Sequence, residues 1–516
     1  MTTQADKHTL GRNIVYVTFG VLVTNACLFV GNWAVIHGYG QGLHGQVVWI
    51  LAASRLLTIL ADLGIASKAG VRLIARQRVL DPQGLGPVIS RLAGIQVAVG
   101  AVLSAGMFAL ALPIASLKAG LDPAAAGEFV LGLRLAATWV LFQAGIRFCV
   151  MVSVGLERMA SVLWTNPAGE SLKVVWVFVC SALGLNLTWL FIGWTVAHVA
   201  ALGVGLALLA PMEREFGFKA RLRLGGARQA LRMAAEAVPY FIPQLSMLGL
   251  PSVLAVGIGL RLAGAGNADA ENSVFQVCWS LSLVSRLVSH TSSTALFPRF
   301  ARLHAGASSR DDISATLHQA SRLVGLSTSG LLALFVGWGG ALLSVVYGGG
   351  HASALPLLLL LTLATGIENY TQQVDQVLMA VGLARVVMWS EALRVVAAAG
   401  VAWWLIPLHG AWGAGVGALA GTVGALAVKI AAMRRFDRPA GLAPFGAMVA
   451  VMGFLWGLSP FLNGPSAPCG RALTPFVALG VWALLALATR LLLPREIFRC
   501  LAVFAKTMAP WRGRRA

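Results

Sequence analysis

Charge is what this sequence has least of. Only 11% of its 516 residues are Asp, Glu, Lys or Arg, against about a quarter in a soluble domain. Acidic residues are the scarcer kind, 19 against 39 basic ones. No paired carboxylates and no nucleophile beside a base stand out, so the usual hydrolase chemistries have no visible seat. Cysteine is sparse too: Cys27, Cys149, Cys180, Cys278, Cys469 and Cys500 form neither a CxxC nor a His-containing metal spacing. That excludes a disulfide framework and a zinc-type site. Four of the six fall in apolar runs, where a thiol behaves as a small apolar side chain.

What the chain has instead is apolar surface. Hydrophobic residues make up 58% of it and the mean hydropathy is +0.79. No soluble fold of this length covers so much of it, so the solvent for most of the chain is lipid. The 58 glycines suit helices that pack closely in a bilayer. Fourteen apolar segments are expected to span: 13–36, 46–67, 88–116, 129–153, 160–182, 187–211, 237–261, 271–297, 320–346, 354–381, 386–406, 411–432, 443–463 and 473–492. The fifth is the weakest, because Asn166, Pro167, Glu170 and Lys173 interrupt it. The polar, basic start leads into an apolar run too long for a signal-peptide core, so a retained first helix is expected, with its N-terminus in the cytoplasm.

Loop charges give the orientation. With both termini inside, the inner loops take all but a handful of the Lys and Arg residues outside the spans, and the outer loops keep Lys118 and Arg471 alone. A wrong helix count would scramble this alternation. The net charge of +20 is therefore read as positive-inside bias with attraction for anionic headgroups, and nucleic acid is not expected as a partner. The outer loops are too short for an extracytoplasmic domain. The longest inner connection, 212–236, is basic, and its part from 227 has helical spacing suited to the membrane surface. The basic tail, 493–516, reads equally as a surface helix or as an irregular segment.

Three stretches carry a family resemblance. ADLGIASKAGVRLIARQ (61–77) closes the second span and enters a basic loop, SSTALFPRFARLHA (292–305) does the same after the eighth, and QVLMAVGLARVVMWSEALRVVAAAGVAWWLIPLHGAWGAGVGALAG lies within 355–427. They resemble the polysaccharide-export branch of the multidrug/oligosaccharidyl-lipid/polysaccharide (MOP) superfamily, over most of the first twelve spans. The resemblance implies an all-α integral membrane fold of about fourteen helices. Two pseudo-symmetric six-helix lobes, 1–211 and 237–432, would flank the 212–236 linker, with two extra helices in 433–492. It implies a flippase in a bacterial inner membrane that moves a polyprenyl-pyrophosphate-linked oligosaccharide by alternating access, beside other polysaccharide-assembly proteins. The match is incomplete: Ser289 stands where the first half has Asp62.

Charges inside the spans are the candidate site. Arg55, Arg134, Arg147, Lys173, Arg286 and Arg394 lie deep, whereas Arg261, Lys429 and Arg490 lie near span ends and are expected to snorkel to the headgroups. A charge facing lipid at mid-depth costs about 2.5–3.5 kcal/mol on insertion scales, so deep charges turn to a bundle interior or a wet cavity. Arg55 and Arg286 lie on partner spans and suit an anionic substrate, since Arg meets phosphate oxygens with a planar fork of donors. Arg134, Arg147 and His290 join them as substrate-binding candidates. The plainer alternative is that each Arg neutralises an acid and holds helices together. Glu170 with Lys173, and Glu391 with Arg394, are three apart and read as internal compensation. Asp62 reads as a gate or helix cap. Glu368, Gln372 and Asp375 form a polar stripe in the tenth span. Glu368 and Asp375 are candidates for proton or sodium coupling, with cavity lining as the alternative. No cofactor or metal is expected. Two other functions stay open: a multidrug or cation antiporter of the same fold, and a membrane glycosyltransferase or polymerase. The embedded Arg excess and the short outer loops weigh against them in turn.

Overall fold

The computed structural model describes residues 4–65, 69–116, 123–219, 222, 227–286, 289, 300, 310–434, 442–463, 470–489 and 491. Helix is the only extended regular structure among them. In bilayer hydrocarbon each segment must satisfy its own N–H and C=O groups, which leaves helices or closed barrels, and continuous apolar runs of this length make helices.

Each of the fourteen expected spans is mainly helical over its described residues, and 287–288 and 290–297 of the eighth lie outside them. The first two form one element, α1 (Gln4–Asp62), broken where Gly40 takes φ 81° and ψ 168°. That backbone is readily open only to glycine, so the helix kinks there without a longer loop. A short basic helix follows, α2 (Gly70–Leu80), then α3 (Leu85–Ala109) with α4 (Ala111–Ser116), α5 (Pro123–Gly155), α6 (Met159–Ala182) and α7 (Leu187–Phe216). The weakest expected span, α6, is one helix with Pro167 inside it, at the loss of the N–H that would otherwise meet the Leu163 carbonyl. Asn186 caps α7, accepting from the Trp189 N–H at 3.4 Å, and Gly217 ends it at φ 66°.

The helix expected from 227 is present as the start of α8 (Ala227–Gln244), which continues through a π-helical turn at Leu245–Gly249 into α9 (Leu250–Arg261). Then come α10 (Ala268–Ser282), α11 (Arg310–Tyr347), α12 (Leu355–Ala380), α13 (Ala384–His409), α14 (Ala411–Met433), α15 (Leu442–Asn463) and α16 (Gly470–Ala488). Among the described residues nine helices are long and apolar enough to cross a membrane by length and composition. The shortfall from fourteen has physical causes. The two arms of α1 count once, the polar groups of α6 and α12 lower their hydropathy, and α10 and α16 are short.

The described contacts divide the chain into two compact units, Met1–Leu287 with Ala384–Ala425, and Val288–Leu383 with Leu426–Ala516. In the first, α1 packs on α5, α6, α9 and α10, and α13 packs on α8 and α9. Gly413, Gly417 and Gly421 form a small-residue stripe on α14 that lies against the backbone of α13 at Leu405, Ala398 and Arg394. No side chain could intervene at that approach, which is how membrane helices gain dispersion contact without a hydrophobic drive. In the second, α11 packs on α12, α15 and α16. Tyr370 stacks on Phe445 with ring centroids 4.4 Å apart, and Trp482 donates to Ser329 Oγ at 3.1 Å. These contacts fasten the last two helices to α11 and α12.

Candidate functional site

In the first unit the embedded charges converge from four helices. Asp62, at the end of α1, is 1% exposed. It accepts from Arg147 Nη1 of α5 at 3.2 Å and from Gln244 Nε2 of α8 at 2.6 Å. Asp62 thus joins helices, in keeping with the structural role expected of it, and Arg147 spends a donor on that acid. In the middle of α6, Lys173 Nζ meets Glu170 Oε1 at 2.8 Å, the compensation its spacing implied. Neither is left alone with it: Glu170 lies within electrostatic reach of Arg55 on α1 and His198 on α7. His198 is buried, bonds through Nδ1 to the Trp194 carbonyl at 2.7 Å, and stacks on Trp139 with centroids 5.2 Å apart. Trp194 Nε1 in turn donates to the Lys173 carbonyl at 3.3 Å, holding α7 against α6.

Arg55 differs from its neighbours. It is exposed, and among the described residues its guanidinium makes no hydrogen bond, ion pair or ring contact. It feels the charges of Glu170 and Arg147 without touching either. A guanidinium carries five donors, and none of the described residues takes one.

The other cations of this unit have duties. Arg286 follows the short 3₁₀ turn after α10 and donates from Nη1 to the Met247 carbonyl at 3.2 Å, with its guanidinium 6.0 Å from the Trp279 ring centroid. The bond has a reason in the sequence. Pro251 has no N–H to give the carbonyl four residues earlier, which is Met247, and the π-helical turn accommodates the same defect. Arg134 is exposed and lies 5.3 Å from the Phe108 ring centroid, apart from the Asp62 and Glu170 groups. Arg261 is exposed over Trp403 at 4.7 Å, as a snorkelling side chain would be. Glu391 and Arg394 pair at 3.5 Å within α13. His290, Arg490 and nearly all of the 292–305 stretch lie outside the described residues.

The second unit holds the polar stripe of α12. Glu368, Asn369, Gln373 and Asp375 are all buried. Ser289 Oγ donates to the Asn369 carbonyl or to Gln372 Oε1, each at 3.1 Å. Gln373 Nε2 returns a bond to the Ser289 carbonyl at 3.1 Å, and Asn369 reaches Thr328 of α11 at 3.5 Å. One expectation fails here. Lys429 does not snorkel: its side chain is 0% exposed and pairs with Asp375 at 2.8 Å to Oδ1 and 2.9 Å to Oδ2. Its place near the end of α14 suggested a route to the headgroups, but the carboxylate on α12 offers a nearer partner. Sequence reasoning also missed His198. A lone His in an apolar helix carries no signal by itself; only the packing of α6 on α7 brings it to Glu170.

No protein-family model matches this sequence, and no curated protein matches it. Solved structures do. The lipid II flippase MurJ in an inward closed conformation matches with a TM-score of 0.68 at 10% identity, over 94% of this chain and 100% of that one. An inward-facing multidrug resistance MATE family transporter of the MOP superfamily matches at 0.65 and 15% identity, over 82% of this chain and 98% of that one. An outward-facing MATE family transporter matches at 0.55 and 16% identity, over 83% and 95%. At these identities the likeness establishes the fold: this chain has the all-helical membrane fold of MOP-superfamily transporters.

Proposed function

We propose that the chain is a flippase that carries a polyprenyl-pyrophosphate-linked oligosaccharide across a bacterial inner membrane for surface polysaccharide assembly. It works by alternating access of two six-helix lobes, 13–211 and 237–432, with both termini in the cytoplasm. Arg55 carries this reading. A cation exposed in the middle of a membrane helix, with no donor engaged by any of the described residues, is unstable facing lipid. It is stable facing water and a phosphate-bearing substrate, whose oxygens fit the planar fork. Arg147, held by Asp62, supplies a second positive charge within electrostatic reach. Arg286, bonded to the Met247 carbonyl, is the cationic candidate on the partner span.

Two further observations support it. The likeness to MurJ, a lipid II flippase, takes in 94% of this chain, whereas the MATE likenesses named above take in 82–83%. The internal repeat also has a counterpart in bonding: Asp62 ends the second span and binds the fourth, α5, and Ser289 in the eighth binds the tenth, α12. Glu368 and Asp375 are the coupling carboxylates in this reading, for a proton or sodium. The multidrug antiporter remains the second reading, favoured by the MATE likenesses.

The test is translocation of a fluorescent polyprenyl-pyrophosphate oligosaccharide in proteoliposomes. Arg55→Ala should abolish it and Arg55→Lys retain only part, at unchanged membrane abundance, because an ammonium makes no paired bonds to phosphate. Loss of one charge-assisted bond is worth roughly 1.5–3 kcal/mol, about ten- to a hundredfold in affinity. Normal translocation by abundant Arg55→Ala protein refutes the assignment, and export of cationic drugs with no lipid translocation favours the antiporter.

A further inference from the structure

Arg134 is the deep cation that the proposed function leaves unused, and its surroundings are those of a lipid face. It is exposed on α5, and among the described residues its guanidinium makes no hydrogen bond or ion pair. What it meets is a ring. Phe108 on α3 has its centroid 5.3 Å from the guanidinium carbon and is itself 49% exposed. The meeting is built into the helix register. Ser104 Oγ of α3 donates to the Ala137 carbonyl of α5 at 2.7 Å. One turn up α3 from Ser104 is Phe108, and one turn back along α5 from Ala137 is Arg134, so the two come level. Leu131, on the Arg134 face of α5, and Leu112, just past the end of α3, are exposed as well. A guanidinium among exposed apolar side chains faces hydrocarbon, unlike Arg147, which is turned inward to the buried Asp62.

A charge in that position is stable only if it reaches a headgroup or draws one down to it. The direction of α5 favours this. Side chains lean toward the N-terminus of their helix, and for α5 that is the Pro123 end. At that end Glu128, the only acid of α5, accepts from Asn186 in the turn between α6 and α7 at 3.0 Å. Glu128 thus marks the level of the turns, about 9 Å along the axis from Arg134 at 1.5 Å per residue, and its carboxylate is already engaged.

We infer that Arg134 and Phe108 form a binding site for one anionic phospholipid of the phosphatidylglycerol kind, on the lipid-facing side of α3 and α5. On the proposed topology the site lies in the outer leaflet. The guanidinium gives paired N–H donors to the phosphate oxygens while its flat face rests by the Phe108 ring. The acyl chains run inward over the exposed Ala105 and Ala101 of α3, whose small side chains leave them room. Two features select this occupant. Leu131 and Leu112 stand on the headgroup side of the pair, so a bare phosphate would have to shed its water to arrive, whereas a lipid brings its phosphate down on its own chains. One guanidinium also matches the single negative charge of a phosphodiester. A pyrophosphate carries more, and no second cation meets Arg134 among the described residues. The site is therefore separate from Arg55, and it stands or falls without that assignment.

Photolabelling tests the site. The full chain is placed in nanodiscs of phosphatidylcholine that contain a small fraction of phosphatidylglycerol with a diazirine beside the glycerol. After illumination, adducts on the peptides around Phe108 and Arg134 are compared with those around Phe454, an exposed residue of α15, a helix with no basic residue. Labelling at Phe108 should exceed that reference. Unlabelled phosphatidylglycerol should compete about tenfold better than phosphatidylcholine of the same chains, the order of one charge-assisted contact.

Arg134→Gln should bring labelling down to the reference, and Arg134→Lys should keep part of the preference, because the charge remains. Phe108→Leu keeps the apolar surface without the ring and should lose part of it. Should Arg134→Gln fail to purify, the competition series on wild type decides by itself. Equal competition by the two phospholipids overturns the inference, since the contact is then with the chains alone. A preference unchanged in Arg134→Gln overturns it too. So does displacement by inorganic phosphate at matched concentration, which would make this a water-open anion site. Displacement by farnesyl pyrophosphate more readily than by phosphatidylglycerol would give the site to a pyrophosphate lipid, and the separation from substrate would fail with it.

Discussion

Lys429 and Asp375 give the sharpest stability prediction. Both oxygens of Asp375 lie within 2.9 Å of Nζ, and the Lys429 side chain is fully buried. Taking two charges out of water costs several kcal/mol per ion, repaid only by close mutual geometry. Removing one partner takes from the other its counter-charge at 2.8 Å, at about 3–5 kcal/mol, whereas removing both charges at constant volume is close to neutral. Lys429→Met and Asp375→Asn should therefore each destabilise strongly, and the double variant should recover most of the loss. The coupling energy from the cycle should be on the order of 2–3 kcal/mol, well above the scatter expected of independent sites. The measurement is equilibrium unfolding in mixed micelles of rising SDS fraction, followed by tryptophan fluorescence. Additive single effects would refute the reasoning, since they mean that the two groups do not depend on each other. The same double variant isolates function. If it is as stable as wild type yet translocates nothing, Asp375 does more than balance a charge. If it translocates normally under every imposed proton and sodium gradient, Asp375 has no part in coupling.

Three further outcomes follow from the packing and topology. Arg286→Ala should destabilise by about 1–3 kcal/mol, the penalty for orphaning the Met247 carbonyl; in a Pro251→Ala background, which returns an N–H to that carbonyl, the loss should shrink, and an unchanged loss in a double-mutant cycle would show that the bond to Met247 is not what Arg286 contributes. Gly421→Val should lower membrane abundance sharply, because the new side chain would enter the Arg394 carbonyl and Ala398 on α13; Gly424→Val, three residues on, where an added Cβ would stand 4.0 Å from the Leu393 side chain, should be tolerated, and equal effects would mean that the close approach is not the cause. Reporter fusions after Gly120 and Gly350 should both report the outer side; a cytoplasmic signal at either breaks the topology.

The fold was legible because lipid leaves few choices. Once a span is apolar and long enough, helix is the only economical backbone state, so even α6, interrupted by Asn166, Pro167, Glu170 and Lys173, came out as expected. Pairs within one helix were equally readable, since spacing of three fixes the geometry: Glu170 with Lys173 and Glu391 with Arg394 both formed. Partnerships between helices were not. Nothing in the sequence says that Asp62 meets Arg147, that Arg286 serves a carbonyl freed by Pro251, or that His198 stands by Glu170.

Lys429 shows why. Distance from a helix end stands for distance from water only where that end faces lipid or headgroups. The end of α14 faces α12, so a lysine one turn from the end is as enclosed as one in the middle. The reverse holds for Arg55, which lies well inside a span and is nevertheless exposed. Depth along a helix and burial around it are independent coordinates, and a sequence reports only the first. The cations that carry function are therefore to be sought where the two disagree in the direction of Arg55: deep along the helix, open at its surface, and without a hydrogen-bonded acid. By that criterion Arg147 and Arg286, equally deep, rank below Arg55, because each already holds a group of the protein itself.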